Sequence, residues 1–301
     1  MCFQREKIQK VIFSSLGFSP KLEQIEISNS YKRFDTSKKG HLNGYFKVFF
    51  SDDSLCCYFG DWSTGKKVFW KDKEETICTL SNEERIKIQR IDIATKQREE
   101  KERRALLHKH EQFFYSLPLA DSIGVIHPYL MEKCLPKSYI GRYDKESDSL
   151  VFPFFNSKGQ FSGYQSISIT GRKMIANGSY KKGSFCVFRF ADSNSIKTYA
   201  CEGYATGISI LEATKGIVIV CIDSENLTEG IRNATKYLNV DSKNVLIISD
   251  NDFNKTGETE SIKACSSLGC NYFLIPKEGM DANDYACNYG VDKLLQLIKG
   301  I

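Results

Sequence analysis

Three acidic clusters in the carboxy-terminal half each follow a short apolar run. Tyr199-Ala200-Cys201 leads into Glu202, and Val245-Leu246-Ile247-Ile248 is followed by Asp250-Asn251-Asp252. Tyr272-Phe273-Leu274-Ile275 is followed, after a turn, by Asp281-Ala282-Asn283-Asp284. Carboxylates gathered in one place repel each other, and the usual offset is a divalent cation. Magnesium takes oxygen ligands and is commonly held by one or two carboxylates plus substrate phosphates. Two such ions can stabilise the attacking and leaving oxygens of an in-line phosphoryl transfer. The competing reading is that turns favour Asp and Asn whatever they do. That suffices for a lone Asp-x-Asp. It accounts less well for a Glu after one run, an Asp-x-Asp after a second and an Asp-x-x-Asp after a third.

The elements that must position these acids are legible around them. Segments with helical character at 205–213, 226–238 and 258–268 alternate with the apolar runs, and a further run occupies 217–222. Short β-branched and aromatic runs alternating with helices are the signature of βαβ units and predict a parallel sheet. Parallel strands need crossovers, so their carboxyl ends emerge on one edge, where open α/β sheets carry their sites. Glu202, Asp250, Asp252, Asp281 and Asp284 are therefore expected to meet there, with Asp223 at a further strand end.

Glu202-Gly203-Tyr204-Ala205-Thr206-Gly207 followed by Asp250-Asn251-Asp252 resembles the Toprim domain shared by bacterial-type primases and topoisomerases. The likeness is strongest to the Toprim primases of conjugative plasmids and phages, whose third acidic motif Asp281-Ala282-Asn283-Asp284 resembles. It continues upstream through Leu150-Val151-Phe152-Pro153, Tyr164-Gln165-Ser166-Ile167, Gly171-Arg172-Lys173 and Lys181-Lys182-Gly183-Ser184, and more loosely through Gly60-Asp61-Trp62. The resemblance implies an α/β fold: a Toprim-type parallel sheet core, preceded by a strand-rich α+β primase subdomain and a small amino-terminal α+β domain. It implies magnesium or manganese on Asp250, Asp252, Asp281 and Asp284, with Glu202 as general acid/base or metal-associated glutamate. Arg172, Lys173, Lys181 and Lys182 would line the template and nucleotide channel, against the plainer reading of a surface hairpin. Where many relatives have Ala-Gly-Asn-Leu, this chain has Ser224-Glu225-Asn226-Leu227, and Glu225 adds a charge beside the site.

The implied activity is that of a DNA primase: short RNA primers made from ribonucleoside triphosphates on single-stranded DNA, for a plasmid, phage or related mobile element. A Toprim nuclease and a non-catalytic nucleic-acid-binding replication adaptor are the rivals from other classes. No Gly-x-x-x-x-Gly-Lys-Ser/Thr loop occurs, so a separate replicative helicase is the expected partner for unwinding.

The whole chain sets bounds on these readings. Its 301 residues, 41% hydrophobic and 26% charged, suit a globular protein with a sizeable core. No apolar run is long enough to span a bilayer, and the first residues lack the apolar region of a signal peptide, so a cytoplasmic protein without membrane contact is expected. The 11 cysteines include no Cys-x-x-Cys, which predicts reduced thiols and no zinc. Residues 1–117 hold 22 Lys/Arg against 17 Asp/Glu, whereas 118–301 hold 20 of each, so the net +5 lies wholly in the first part. A basic accessory part beside an acidic centre suits a polyanionic partner.

Four domains are expected. Residues 1–80 read as a small antiparallel β unit with one helix, whose turns fall at Lys38-Lys39-Gly40, Asn43-Gly44 and Asp52-Asp53. Arg33, Lys38, Lys39, Lys47, Lys66, Lys67, Tyr58, Trp62 and Trp70 of this unit could form a basic surface with stacking rings, unless the rings fill its core. Residues 81–117 read as a long charged connector helix capped by Ser81, with a possible nucleic-acid contact along Arg98, Lys101, Arg103 and Arg104. Residues 118–196 form the strand-rich subdomain, whose His127-Pro128-Tyr129-Leu130 is expected to be structural, and 197–301 form the Toprim domain.

Overall fold

The structure is a computed structural model, and it describes residues 5–36, 40–51, 54–72, 82–124, 126–190 and 197–300. The predicted turns at Lys38-Lys39 and Asp52-Asp53 and the predicted cap Ser81 lie outside the described residues. The chain divides into two compact units, Met1–Glu100 and Lys101–Ile301.

In the first unit, α1 (Arg5–Leu16) covers one face of an antiparallel sheet ordered β1 (Ser28–Phe34), β2 (Gly44–Ser51), β3 (Ser54–Asp61), β4 (Lys66–Lys71). Strand side chains alternate between faces. Phe34, Phe46, Val48, Cys57 and Phe59 therefore point under the helix and meet Ile8 and Ile12, with Val68 and Trp70 alongside. Asn43-Gly44 does not centre a turn. Gly44 opens β2, paired with Phe34 and Asp61, and a Cβ there would lie 2.6 Å from the Phe34 ring. Glycine is needed so that this ring can lie across the strand.

A long helix, α2 (Asn82–Ser116), runs through the division between the units. Its last turns are not a bare connector. Leu107 and Phe114 pack with Val151 and Phe161, and Arg103 donates to the carbonyls of Gly178 and Ser179 at 2.9 and 2.6 Å. The Arg103 guanidinium also lies 3.5 Å over the Tyr180 ring, so this cation is committed to a protein loop.

The second unit continues with α3 (Pro128–Glu132), where His127 is the N-cap and accepts from the Tyr129 amide at 3.2 Å. An antiparallel sheet follows, ordered β5 (Arg142–Asp144), β6 (Ser149–Phe155), β7 (Phe161–Ser168), β8 (Lys173–Ile175). Next come β9 (Cys186–Phe188), β10 (Thr198–Cys201), α4 (Tyr204–Thr214), β11 (Ile217–Val220), α5 (Leu227–Leu238) and β12 (Val245–Ser249). The chain ends with α6 (Thr256–Leu268), β13 (Asn271–Leu274), α7 (Ala282–Tyr289) and α8 (Val291–Lys299). The second sheet has the order β13-β12-β10-β11-β9, parallel except for β9 against β11. The predicted βαβ pattern is thus realised.

The central strands β10 and β11 are buried on both faces, which is why they read as unbroken apolar runs. Helices α4, α7 and α8 share one core with the antiparallel sheet, and α5 and α6 share a second with the opposite face. Tyr204, at the start of α4, stacks on Phe152 at 4.3 Å and donates to the Pro153 carbonyl at 2.9 Å. This anchors the segment behind Glu202 to the neighbouring sheet. Among the described residues no helix is long and apolar enough to cross a membrane.

Candidate active site

The order β13-β12-β10-β11 brings the carboxyl ends of four parallel strands to one edge. Glu202 follows β10 directly and Asp250 follows β12, its neighbour. Glu202 Oε1 and Asp250 Oδ1 are both buried and accept no hydrogen bond from the protein. A buried carboxylate oxygen without a donor is costly. The cost shows in the acidity of both groups. Burial, and then the charges of Asp252 and Asp223, push the Glu202 carboxyl up to about 7, against the pull of Lys173. Burial, and then Glu202 and Asp281, raise Asp250 well above the usual carboxylate range.

Asp252, Asp281 and Asp284 are held differently. The Asp252 carboxylate accepts the amides of Thr256 at 2.9 Å and Gly257 at 3.0 Å, so it caps α6. Gly257 is required there, because a Cβ would sit 2.8 Å from the Asp250 carbonyl and 3.0 Å from Glu202 Oε1. Asp281 is the N-cap of α7 and accepts from the Asp284 amide at 2.8 Å and from Thr206 Oγ1 at 3.2 Å. Asp284 reaches back to the Asp281 amide, which completes a capping box, and pairs with Lys133 at 3.2 Å. Burial disfavours the Lys133 ammonium, but Asp281 and Asp284 outweigh it, and its pKa ends above the ordinary lysine value.

Asn251, between the two aspartates, ties the strand end to the loop carrying Asp281. Its amide donates to the Met280 carbonyl at 3.0 Å and its side chain to the Ile275 carbonyl at 2.8 Å. Asn283, fully buried, donates to the Lys133 carbonyl at 2.8 Å and to Ser209 Oγ at 2.9 Å. The Asn residues of both motifs therefore lock the frame while the acids face the edge.

The basic residues separate. Lys173 on β8 stands over the acidic edge, with its Nζ 3.6 Å from the point a Gly203 Cβ would occupy. Lys181 pairs with Asp223. Arg172 and Lys182 are exposed. Asp223 also accepts from the Asn226 amide at 3.1 Å, and Asn226 takes the Gly183 amide at 2.6 Å and donates to the Ser184 and Cys221 carbonyls, each at 2.8 Å. Asn226, shared with the relatives' motif, thus holds the basic loop to the strand end, while Glu225 is exposed. The residue before Asp223 is strained: Ile222 is β-branched and has φ +76°. Lys133 and Gly257 stand outside every motif read from the sequence, whereas Thr206 and Asn251 lie inside the two Toprim-like motifs without a role given to either.

The described residues include no group of three or more His, Cys, Asp or Glu side chains arranged to hold a metal by themselves. The donor set that fits a cation is smaller: the two orphaned oxygens of Glu202 and Asp250. That suits an ion which keeps several ligands for substrate oxygens.

A family model described as the Toprim domain matches residues 197–292. The chain carries a Toprim domain. Toprim domains as a class bind magnesium, in keeping with the orphaned oxygens above. Beyond this domain the chain is similar to a DNA primase, TraC, of Escherichia coli, at 26% identity over 219 residues, 71% of this chain and 15% of that protein. A second Escherichia coli DNA primase TraC is 26% identical over 247 residues, 77% of this chain and 22% of its own length. The chain thus spans about a fifth or less of the curated relatives it matches. Among solved structures, the Aquifex aeolicus primase, zinc-binding and RNA polymerase domains, aligns with a TM-score of 0.47 at 15% identity, covering 100% of this chain and 86% of that one. The Toprim match and the two TraC primases support the resemblance to Toprim-domain primases read from the motifs.

Proposed function

We propose that this chain is the polymerising core of a DNA primase, a nucleotidyltransferase that joins ribonucleoside triphosphates into short RNA primers on single-stranded DNA for a plasmid, phage or other mobile element. The observation that carries this reading is the pair of buried, unpartnered oxygens on Glu202 and Asp250, on neighbouring strand ends of a Toprim domain. Magnesium or manganese bound there would neutralise the triphosphate and the charge developing on the leaving pyrophosphate. Asp250 offers its free oxygen as a ligand, and Asp252, fixed by two amides of α6, offers a carboxylate that needs no reorganisation. Asp281 and Asp284 shape the edge through their capping box. Glu202, on the same edge, would take the proton of the attacking 3′-hydroxyl and release it again. Lys173 faces the same space and suits a phosphate oxygen as a point charge. Lys181, delivered to the edge by Asp223, joins Arg172 and Lys182 as contacts for template or triphosphate.

The test uses the purified chain, single-stranded DNA of mixed sequence, labelled ribonucleoside triphosphates and magnesium or manganese. Short labelled oligoribonucleotides are expected, lost on adding EDTA and absent from a folded Asp250→Ala, Asp252→Ala double variant. Polymerisation by that variant would overturn the assignment. Shortened template without synthesis would identify a nuclease, and DNA retention with neither reaction would identify a binding adaptor.

A further inference from the structure

The sheet of the first unit has one face under α1, and its other face carries a continuous array of rings and cations. Cross-strand pairing defines that face. One row reads Arg33, Tyr45, Gly60, Lys67; the next reads Lys47, Tyr58, Phe69; the third reads Phe49, Cys56, Lys71. Four of these residues are basic and none is acidic. Tyr31, two residues before Arg33 and so on the same face, packs edge-on against Tyr45 at 5.5 Å and Tyr58 at 6.1 Å. Trp62, just beyond β3, lies 4.7 Å from Tyr45. Phe49 and Phe69 are 6.5 Å apart, and Lys47 sits over both Tyr31 and Phe49, at 5.2 and 4.8 Å.

Two features separate this array from a sheet interior. Tyr31, Phe69 and Trp62 are 52%, 57% and 59% exposed, so their ring faces meet water. Tyr45 is the floor, and it lies flat because Gly60 opposes it. A Cβ at Gly60 would stand 2.4 Å from the tyrosine hydroxyl. Trp70, expected from sequence to join such a surface, points to the helix side and belongs to the core. The surface is therefore built from Tyr31, Tyr45, Phe49, Tyr58, Trp62 and Phe69.

We propose that this open face is a second nucleic-acid site, which takes an unpaired strand by stacking its bases on Trp62, Tyr31 and Phe69 and seating its phosphates on Arg33, Lys47, Lys67 and Lys71. Exposed rings offer stacking surface to any base, and interleaved cations without acids match a polyanion. A duplex hides its base faces and has nothing to stack. A protein partner would leave four like charges on one face to be neutralised. The site lies outside the Toprim domain, and its occupancy does not depend on whether that domain polymerises.

Trp62 supplies the readout, because the only other tryptophan, Trp70, lies on the covered face. Oligothymidylate titrated into the full chain is expected to quench tryptophan emission, and added salt should weaken the binding. Trp62→Ala should abolish the quenching and weaken binding of fluorescein-labelled oligothymidylate about tenfold. Trp62→Phe should lose the quenching yet keep most of the affinity, which guards against a misfolded alanine variant. Lys47→Met should flatten the salt dependence, and the Asp250→Ala, Asp252→Ala variant should quench like the parent whatever its activity. Strand binding that leaves Trp62 emission unchanged would place the strand elsewhere and overturn the proposal. Equal affinity for a blunt duplex, or tighter binding to anionic phospholipid vesicles, would overturn it too.

Discussion

Two pairs of acids close the same sheet edge, and the chain treats them in opposite ways. Glu202 and Asp250 each keep one buried oxygen with no donor, and both resist ionisation. Asp281 and Asp284 exchange backbone amides in a capping box, and Lys133 and Thr206 add further donors. All four are acidic residues at the ends of parallel strands or of the loops that follow them. What differs is the next element. After β10 and β12 the helices begin beyond the acid's own amides, whereas α7 begins on Asp281 itself. A helix start consumes carboxylate lone pairs, and its absence leaves them for a ligand. The first pair stores unfavourable energy that a cation can release; the second contributes stability without one.

The largest effect that could break this contrast is expected at Asp250. Asp250→Asn should lower primer synthesis by roughly 100-fold or more, the scale of losing a preorganised electrostatic contact. The same substitution should raise the melting temperature of the EDTA-treated protein, because a buried carboxyl that lacks a donor and resists ionisation is replaced by a neutral amide. Normal synthesis with a lowered melting temperature would dissolve the distinction between the pairs.

Acidity gives a second effect. The Glu202 carboxyl, at about 7 when folded against 4.5 as its reference value, binds more protons in the folded state between those values. Its stabilising contribution is therefore complete below the unfolded value and is lost as pH rises through about 7. The metal-free protein should lose on the order of 3 kcal/mol between pH 5 and pH 8 from this group, seen in urea unfolding with EDTA present. Glu202→Gln should flatten that slope, and a slope unchanged in the variant would assign it to other groups.

The smallest effect belongs to the capped pair. Asp284→Ala removes half of a capping box and leaves Lys133 without its carboxylate, at a cost of about 1–2 kcal/mol that is the same with or without magnesium. A cost that appears only with magnesium would move Asp284 into the first class.

Much of this frame was legible beforehand, and the parts that were not share a cause. Helices expected at 205–213, 226–238 and 258–268 are found at Tyr204–Thr214, Leu227–Leu238 and Thr256–Leu268. Local periodicity and a two-sided buried strand leave strong marks on a sequence. The convergence of Glu202, Asp250, Asp252 and Asp281 followed from topology alone. Lys133 did not, since its partner Asp284 lies 151 residues away and nothing near Lys133 announces it. Trp70 reads from sequence as either a stacking ring or a core ring, as Tyr58 does, until the pairing of Tyr58 with Phe69 sets the alternation and sends the two to opposite faces. Asn43-Gly44 has the composition of a tight turn, but packing against Phe34 decided its place.

The bond between Arg103 and the loop at Gly178 and Ser179 has a practical consequence for dissecting the molecule. A fragment cut at Pro118, where composition alone would cut, discards Arg103 together with the Leu107 and Phe114 packing on Val151 and Phe161. The loop released by that cut is the one that carries Lys181 to Asp223. Such a fragment would keep every acid of the Toprim domain and still misplace a cation at their edge. A fragment that keeps this loop in place must therefore begin at or before Lys101, inside the helix and not after it.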